Sequence, residues 1–143
     1  MALPFPCLIR PAEDRDTAFV IGSWLESYKN AAPKGTWRHQ LPWPRYRRQQ
    51  TAVIKHAMEH GSTVVACVPD DTDHLLGFAC GRGSVVHYVH VRPERRRLGL
   101  ATMLVQELSL GGGTCEASHM TPVGEHLGRK FSLTYNPLSA MVE

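Results

Sequence analysis

Apolar and polar positions follow two rhythms along this chain, and the switches between them mark its elements. Leu8-Ile9-Arg10 reads as a short first strand, and the polar run 11–16 leads into a helix that Asp14 or a neighbour can cap. Ile21, Trp24, Leu25 and Tyr28 recur at helical spacing, and residues 30–35, Asn-Ala-Ala-Pro-Lys-Gly, end that helix in a loop. A second helix is expected from near Pro44, with Tyr46, Val53, Ile54, Ala57 and Met58 as its inward stripe and Gly61 at its end. Strand-like runs follow at 63–68, 75–80 and 84–92. The turn-rich stretches 69–74 and 81–83 between them predict an antiparallel meander. Leu100, Met103, Leu104 and Leu108 return to helical spacing before Gly111-Gly112-Gly113. A weak strand over 114–120, a short helix opened by Thr121-Pro122 and running towards Lys130, and a last strand within 134–142 complete the series.

The most informative stretch is 87–104, where a β-branched strand turns through a basic, glycine-bearing loop directly into an amphipathic helix. The first N–H groups of a helix have no intrahelical partner and the helix dipole favours an anion there, so Arg96, Arg97, Leu98, Gly99, Leu100 and Ala101 form a phosphate-friendly turn. Gly99 allows the ligand a close approach.

Val91-x-Pro93 followed by Arg96-x-x-Gly99-x-Ala101 resembles the R/Q-x-x-G-x-G/A signature of the GNAT superfamily of N-acetyltransferases. The order of strands and helices is similar to that family's over nearly the whole chain. The resemblance implies an α+β fold, a mixed α/β sheet of about six mostly antiparallel strands flanked by about four helices, with the C-terminal strand pair reduced. It also implies that this loop carries the pyrophosphate of acetyl-CoA, with backbone at Val89 and Val91 bonding the pantetheine arm and polarising the thioester carbonyl. The reaction implied is transfer of acetyl from acetyl-CoA to an amine, with no metal.

Length and composition agree with one domain over 1–143: this size buries roughly two-thirds of the surface of the unfolded chain. No apolar run reaches the ~20 residues of a membrane span, and no signal-like segment opens the chain, so a cytoplasmic location without membrane contact is expected. Cys7, Cys67, Cys80 and Cys115 lie far apart and suggest neither a disulfide framework nor a zinc site. The net charge of +3 is unevenly spread. Residues 27–58 hold Lys29, Lys34, Arg38, Arg45, Arg47, Arg48 and Lys55 and no acidic residue, with Trp37, Trp43 and Tyr46 among them. Such a segment can neutralise phosphates and stack on bases, or equally be a solvated helix face with tryptophans anchoring a loop. In the GNAT resemblance it lies where the acceptor binds. That favours an acidic or phosphate-bearing acceptor over a polyamine, with Trp37, Arg38, Trp43, Arg45, Arg47 and Arg48 as its surface.

An attacking amine must be neutral, so a base is needed, and histidine needs little tuning for that task. Strand alternation puts His87 on the same face as Val91, making it the first choice; His90 takes its place if a β-bulge reverses the parity, and His119 follows the weak strand as a reserve. Glu94 and Glu107 read as solvated partners of the loop arginines. The chain departs from the family at its end. Aligned to the family's later motif, it reads Thr121, Gly124, Gly128 and Ser132-Leu133, without the tyrosine that commonly protonates the leaving thiolate. Tyr135 is the substitute at hand. The alternative is a catalytically silent GNAT-fold binding or structural protein. It would use residues 34–55 to contact protein or nucleic acid, and it is similar, more weakly, to small GNAT-like proteins of tailed bacteriophages. An unpaired C-terminal strand edge is the expected seam of a homodimer.

Overall fold

The computed structural model describes residues 3–108, 115–119 and 133–140. Six strands form one sheet in chain order: β1 (Leu8–Pro11), β2 (Ser62–Val68), β3 (Asp71–Arg82), β4 (Val85–Val91), β5 (Cys115–Ala117) and β6 (Leu133–Tyr135). The first four pair antiparallel, as the meander pattern predicts, and β5 and β6 add on in parallel. The helices are α1 (Thr17–Ala31), α2 (Trp37–Gln40), α3 (Trp43–His60) and α4 (Leu100–Glu107). The helix expected over 121–130 lies outside the described residues. The last strand is shorter than the apolar run suggests, because after Tyr135 the chain turns into a 3-10 segment, Pro137–Ala140, started by a proline that has no N–H to give a sheet.

The two faces of the sheet carry two cores. Val20, Trp24, Leu25 and Tyr28 of α1 and Tyr46, Ile54 and Ala57 of α3 pack on Val65, Phe78, Cys80 and Tyr88. On the other face Leu100, Leu104 and Val105 of α4 pack on Leu76, Ala79, Val86, Val89 and Val91. The sequence stripe of α3 is thus largely right, with Gln50 buried in it as well. Asp16, not Asp14, governs the entry to α1. Its carboxylate takes two bonds from the Arg10 guanidinium (2.7 and 3.0 Å) and one from the Glu13 N–H (2.8 Å), while Arg10 also donates to the Thr72 carbonyl. Burial opposes the Asp16 charge, but these donors more than offset it and hold the carboxyl below its usual range. That clasp fixes the start of α1 against β1 and β3.

One irregularity sets the geometry of everything that follows. Cys80 faces Tyr88 while Gly81 faces Val86, so His87 is an extra residue in β4. Gly81 stands opposite this bulge, where a Cβ would meet the Val85 carbonyl at once. The bulge resets the alternation. His87 therefore does not share a face with Val91, as unbroken alternation would have it: Val89 and Val91 turn to α4, Tyr88 packs with α1, and the His90 ring lies 6.3 Å from Phe19 of α1.

Candidate active site

The start of β4 pairs with the end of β5, Val85 with Glu116 and Val86 with Ala117, and the Glu116 and Ser118 N–H groups bond the Ser84 and Val86 carbonyls. Beyond that point no described residue pairs with this flank of β4, which is open among the described residues. The Arg92 N–H bonds the Leu76 carbonyl of β3, so by strand alternation the N–H and C=O of Val89 and Val91 point away from β3 into the gap. The Val91 carbonyl is already taken by Arg96 Nε at 2.8 Å. What the open flank still offers is the Val89 N–H and C=O and the Val91 N–H, an edge able to accept one more strand-like partner.

A cleft of about 630 Å³ runs along this half of β4. Tyr88, Val89, His90, Val91, Arg92 and Arg96 form one wall, and Phe19, Ser23, Glu26, Ser27 and Asn30 of α1 form the other. At its foot, Pro93–Arg95 make a 3-10 turn, Arg97 adopts a left-handed φ of 64°, and Gly99 follows at φ 95° as the N-cap of α4. A non-glycine residue in that region is uncommon and costs roughly 1–2 kcal/mol. The first bond of α4 runs from the Met103 N–H to the Gly99 carbonyl, leaving the N–H groups of Leu100 and Ala101 without helical acceptors. Arg96, Arg97 and Leu98 are exposed over this turn. The residues fit a diphosphate: main-chain donors, a helix N-terminus and guanidinium groups, with no acidic side chain among Arg96 to Ala101.

The histidines separate. His90 lines the cleft, and its pKa is lowered to about 4 by burial and by the Arg96 and Arg92 guanidiniums. His87 is buried at the bulge, lines a different cavity and is lowered to about 4 by burial, with His56 and Arg82 adding to it. Its Nδ1 meets the Ser118 hydroxyl at 2.8 Å; that hydroxyl meets His119 Nδ1 at 2.9 Å, and His119 Nε2 meets the Gln50 amide at 3.0 Å. This buried chain of four residues ties α3, the end of β5 and the bulge together. Burial lowers His119 to about 3, with neighbouring His87 and Arg38 adding to it, and its ring packs edge-on against Tyr28 and Trp24. Nothing in spacing or periodicity links residues so far apart in the sequence.

Tyr135 ends β6, half-exposed, and is not among the cleft residues. Tyr88 is. Its ring stacks on Trp24 (4.9 Å, 7° between planes), its hydroxyl shares a 2.8 Å hydrogen bond with Ser27, and burial raises its pKa to about 12. The sequence pattern gave no reason to single it out, because it reads as one more apolar strand position.

The basic segment splits in two. Arg38 is bound into the structure, its guanidinium 4.0 Å from the Tyr28 ring centre and donating to the Tyr28 carbonyl, and Lys29 sits over the Trp43 and Tyr46 rings. Arg45, Arg47 and Arg48 project from the outer side of α3, with Trp37 52% and Trp43 44% exposed nearby in sequence. No sequence pattern predicts the short α2 that carries Trp37, since four residues are too few to show a period. Among the described residues no helix is long and apolar enough to cross a membrane, and no group of three or more His, Cys, Asp or Glu is placed to hold a metal.

No protein of curated function matches the sequence. Solved structures do match the fold. A GCN5-related N-acetyltransferase from Rhodopseudomonas palustris has a TM-score of 0.54 at 18% identity over 76% of this chain, which spans 66% of that structure's length. A Clostridium acetobutylicum protein, described as a predicted acetyltransferase and solved with acetyl-CoA, gives 0.54 at 11% identity over 90% of each chain. A GNAT-family protein from Xanthomonas campestris pv. campestris gives 0.54 at 16% identity, covering 99% of this chain and 93% of that one. The model of the Acetyltransferase (GNAT) family matches residues 21–109, a span that includes the phosphate-friendly loop, the bulged strand and most of α1, and the chain belongs to that family.

Proposed function

We propose that this chain is an N-acetyltransferase that takes acetyl-CoA as cosubstrate and delivers the acetyl group to an amine. The observation that carries the reading is the open flank of β4 leading to the left-handed turn at Arg97 and Gly99: one edge for an amide-bearing arm, ending at a diphosphate site. Acetyl-CoA supplies an activated thioester carbonyl. In this reading the Leu100 and Ala101 N–H groups with Arg96 and Arg97 hold the pyrophosphate, Val89 and Val91 hold the arm, and the Val89 N–H faces the thioester oxygen.

Of the candidate bases, His90 is the one that shares the cleft with this edge, so it receives the amine's proton here. Its low pKa keeps it neutral and able to accept at physiological pH. A diphosphate beside Arg96 offsets part of the positive field that lowers it, so cofactor binding makes His90 a stronger base. The Tyr88 hydroxyl, kept protonated by burial, lines the same cleft and donates to Ser27, whose own proton goes to the Ser23 carbonyl. His87 and Tyr135 are not among the residues lining the cleft.

The acceptor is read as acidic or phosphate-bearing, supported by Arg45, Arg47 and Arg48 on the outer side of α3 and the exposed Trp37 and Trp43; Arg38 contributes by holding Tyr28. Calorimetric titration of the purified chain with acetyl-CoA tests the proposal at its base. Saturable one-to-one binding is expected; a folded protein that gives no binding heat overturns it.

A further inference from the structure

At the other end of β4 lies a second cavity of about 290 Å³, lined by Arg82, Gly83, Ser84, Val85, His87, Glu116, Asn136 and Ser139, none of which lines the cleft. Its volume matches the liquid share of roughly ten water molecules, more than one ion needs and near the lower end of small-molecule sites. Three features distinguish it from a surface dent.

The first is a carboxylate held in place. Asn136 Nδ2 donates to Glu116 Oε2 at 2.7 Å, and the Asn136 side-chain oxygen is in turn bound by the Leu138 N–H, which leaves Oε1 of Glu116 for another donor. The second is a buried ring with one nitrogen to spare. His87 lines the cavity and is 5% exposed, and with its Nδ1 engaged by Ser118 its remaining polar ring atom is Nε2. The single Ser118 proton has two acceptors in reach, His87 Nδ1 at 2.8 Å and the His87 carbonyl at 3.5 Å; on the shorter contact it goes to Nδ1, and with Gln50 donating to His119 Nε2 and His119 Nδ1 donating to Ser118, His87 Nε2 then carries a proton. The third is an unpaired couple of opposite charges. Arg82 and Glu116 line the same cavity, and among the described residues no ion pair joins them.

A carboxylate fixed by its neighbours, a guanidinium left without a carboxylate, and an N–H donor within one small space match a ligand with both charges on a short frame. We propose that this cavity binds a small zwitterion of the α-amino acid class, its ammonium on Glu116 and its carboxylate on Arg82 with His87 Nε2. A lone anion or a lone amine meets only one of the two charges, whereas a zwitterion meets both. The site does not depend on the acetyltransferase reading. It connects to the cleft through the Ser118–His119 chain, since the His119 ring lies 6.2 Å from that of Tyr88.

The experiment is a calorimetric titration of the intact chain with glycine, L-serine, L-valine and L-glutamine in turn, to about 10 mM, where a millimolar site is readily seen. L-serinamide and L-lactate serve as probes lacking the carboxylate and the ammonium. Saturable binding is expected for at least one amino acid, weakened at least ~10-fold by loss of either charge and by Arg82→Ala or Glu116→Gln. Arg82 is exposed and its truncation leaves folding intact, and acetyl-CoA affinity, measured on the same samples, stays unchanged in it. The ring signals of His87 move on binding while those of His90 do not. No saturable binding by any of the four, equal binding by the two variants, or displacement by CoA overturns the proposal. Loss of acetyl-CoA binding in the unaltered chain counts against the cofactor reading alone.

Discussion

The cleft and the second cavity lie along the same strand, on either side of the bulge at His87, yet they are made of different material. In the proposed reading the cleft binds its ligand through main chain: the flank of Val89 and Val91 and the N–H groups at the start of α4. Side chains there have only to stay out of the way or carry positive charge. The cavity recognises through side chains brought from β3, β4, β5 and the segment after β6. Main-chain recognition constrains where a small residue must sit, and it therefore leaves a short motif in the sequence. Side-chain recognition can be assembled from any positions the fold brings together, and it leaves none.

The sharpest way to break this contrast is at Gly99. Gly99→Val puts a β-branched residue at φ 95° and fills the approach to the helix start, so acetyl-CoA affinity should fall by ~100-fold or more while α4 still forms. Calorimetry reads the affinity and circular dichroism the helix; an affinity within a few-fold of the parent would show that side chains, not main chain, hold the cofactor. His90→Gln is next. Turnover should drop by about 100-fold at neutral pH with acetyl-CoA binding nearly unchanged, whereas His87→Gln should leave turnover within about threefold. If the two effects are reversed in steady-state assays, the base belongs to the cavity side and not to the cleft.

Acid should affect both regions together. His87, His90 and His119 have folded pKa values of about 4, 4 and 3, below the ordinary 6.5. Above pH 6.5 all are neutral folded or unfolded, and the stability is fully present. As pH falls below 6.5 the unfolded chain takes up protons that the folded chain refuses, and stability is lost until the folded values are reached. From pH 7 to 5 this amounts to about 2 kcal/mol per histidine. Urea midpoints at pH 7 and 5 measure it, and His119→Gln should flatten the slope; an unchanged slope would mean the buried chain is not titrating as a unit. The smallest effect is expected on the outer side of α3. Reversing Arg45, Arg47 and Arg48 to glutamate should raise the KM for an acidic acceptor about tenfold and soften its salt dependence, leaving acetyl-CoA affinity intact. Equal KM values at low salt would detach this face from acceptor binding.

Particular residues show how far reading the sequence reached. The run 87–104 declared its strand, loop and helix because a β-branched stretch, a glycine that must be left-handed and a helical apolar stripe are each local properties. α1 and α3 were visible for the same reason, down to Trp24 and Ile54 as core residues. The face of His87 was not, because one inserted residue between Val86 and Tyr88 reverses every side chain beyond it, and that shift shows only in the pairing with Cys80 and Gly81 on the neighbouring strand. Arg38 looked available for a partner and instead stacks on Tyr28, since only packing decides which cations of a basic run remain free.

The sequence by itself therefore determined what short-range physics controls: the periods of the strands and helices, the turn chemistry, and an anion-receiving helix start with its family signature. Tertiary structure alone decided which histidine faces the cleft, which hydroxyl meets Tyr88, and that Gln50, Ser118, His119 and His87 form one buried chain. A hydrogen bond between residues 69 positions apart has no local signature. It exists because burial would otherwise leave those polar groups without partners, and which groups are buried together is settled only when the sheet and helices pack.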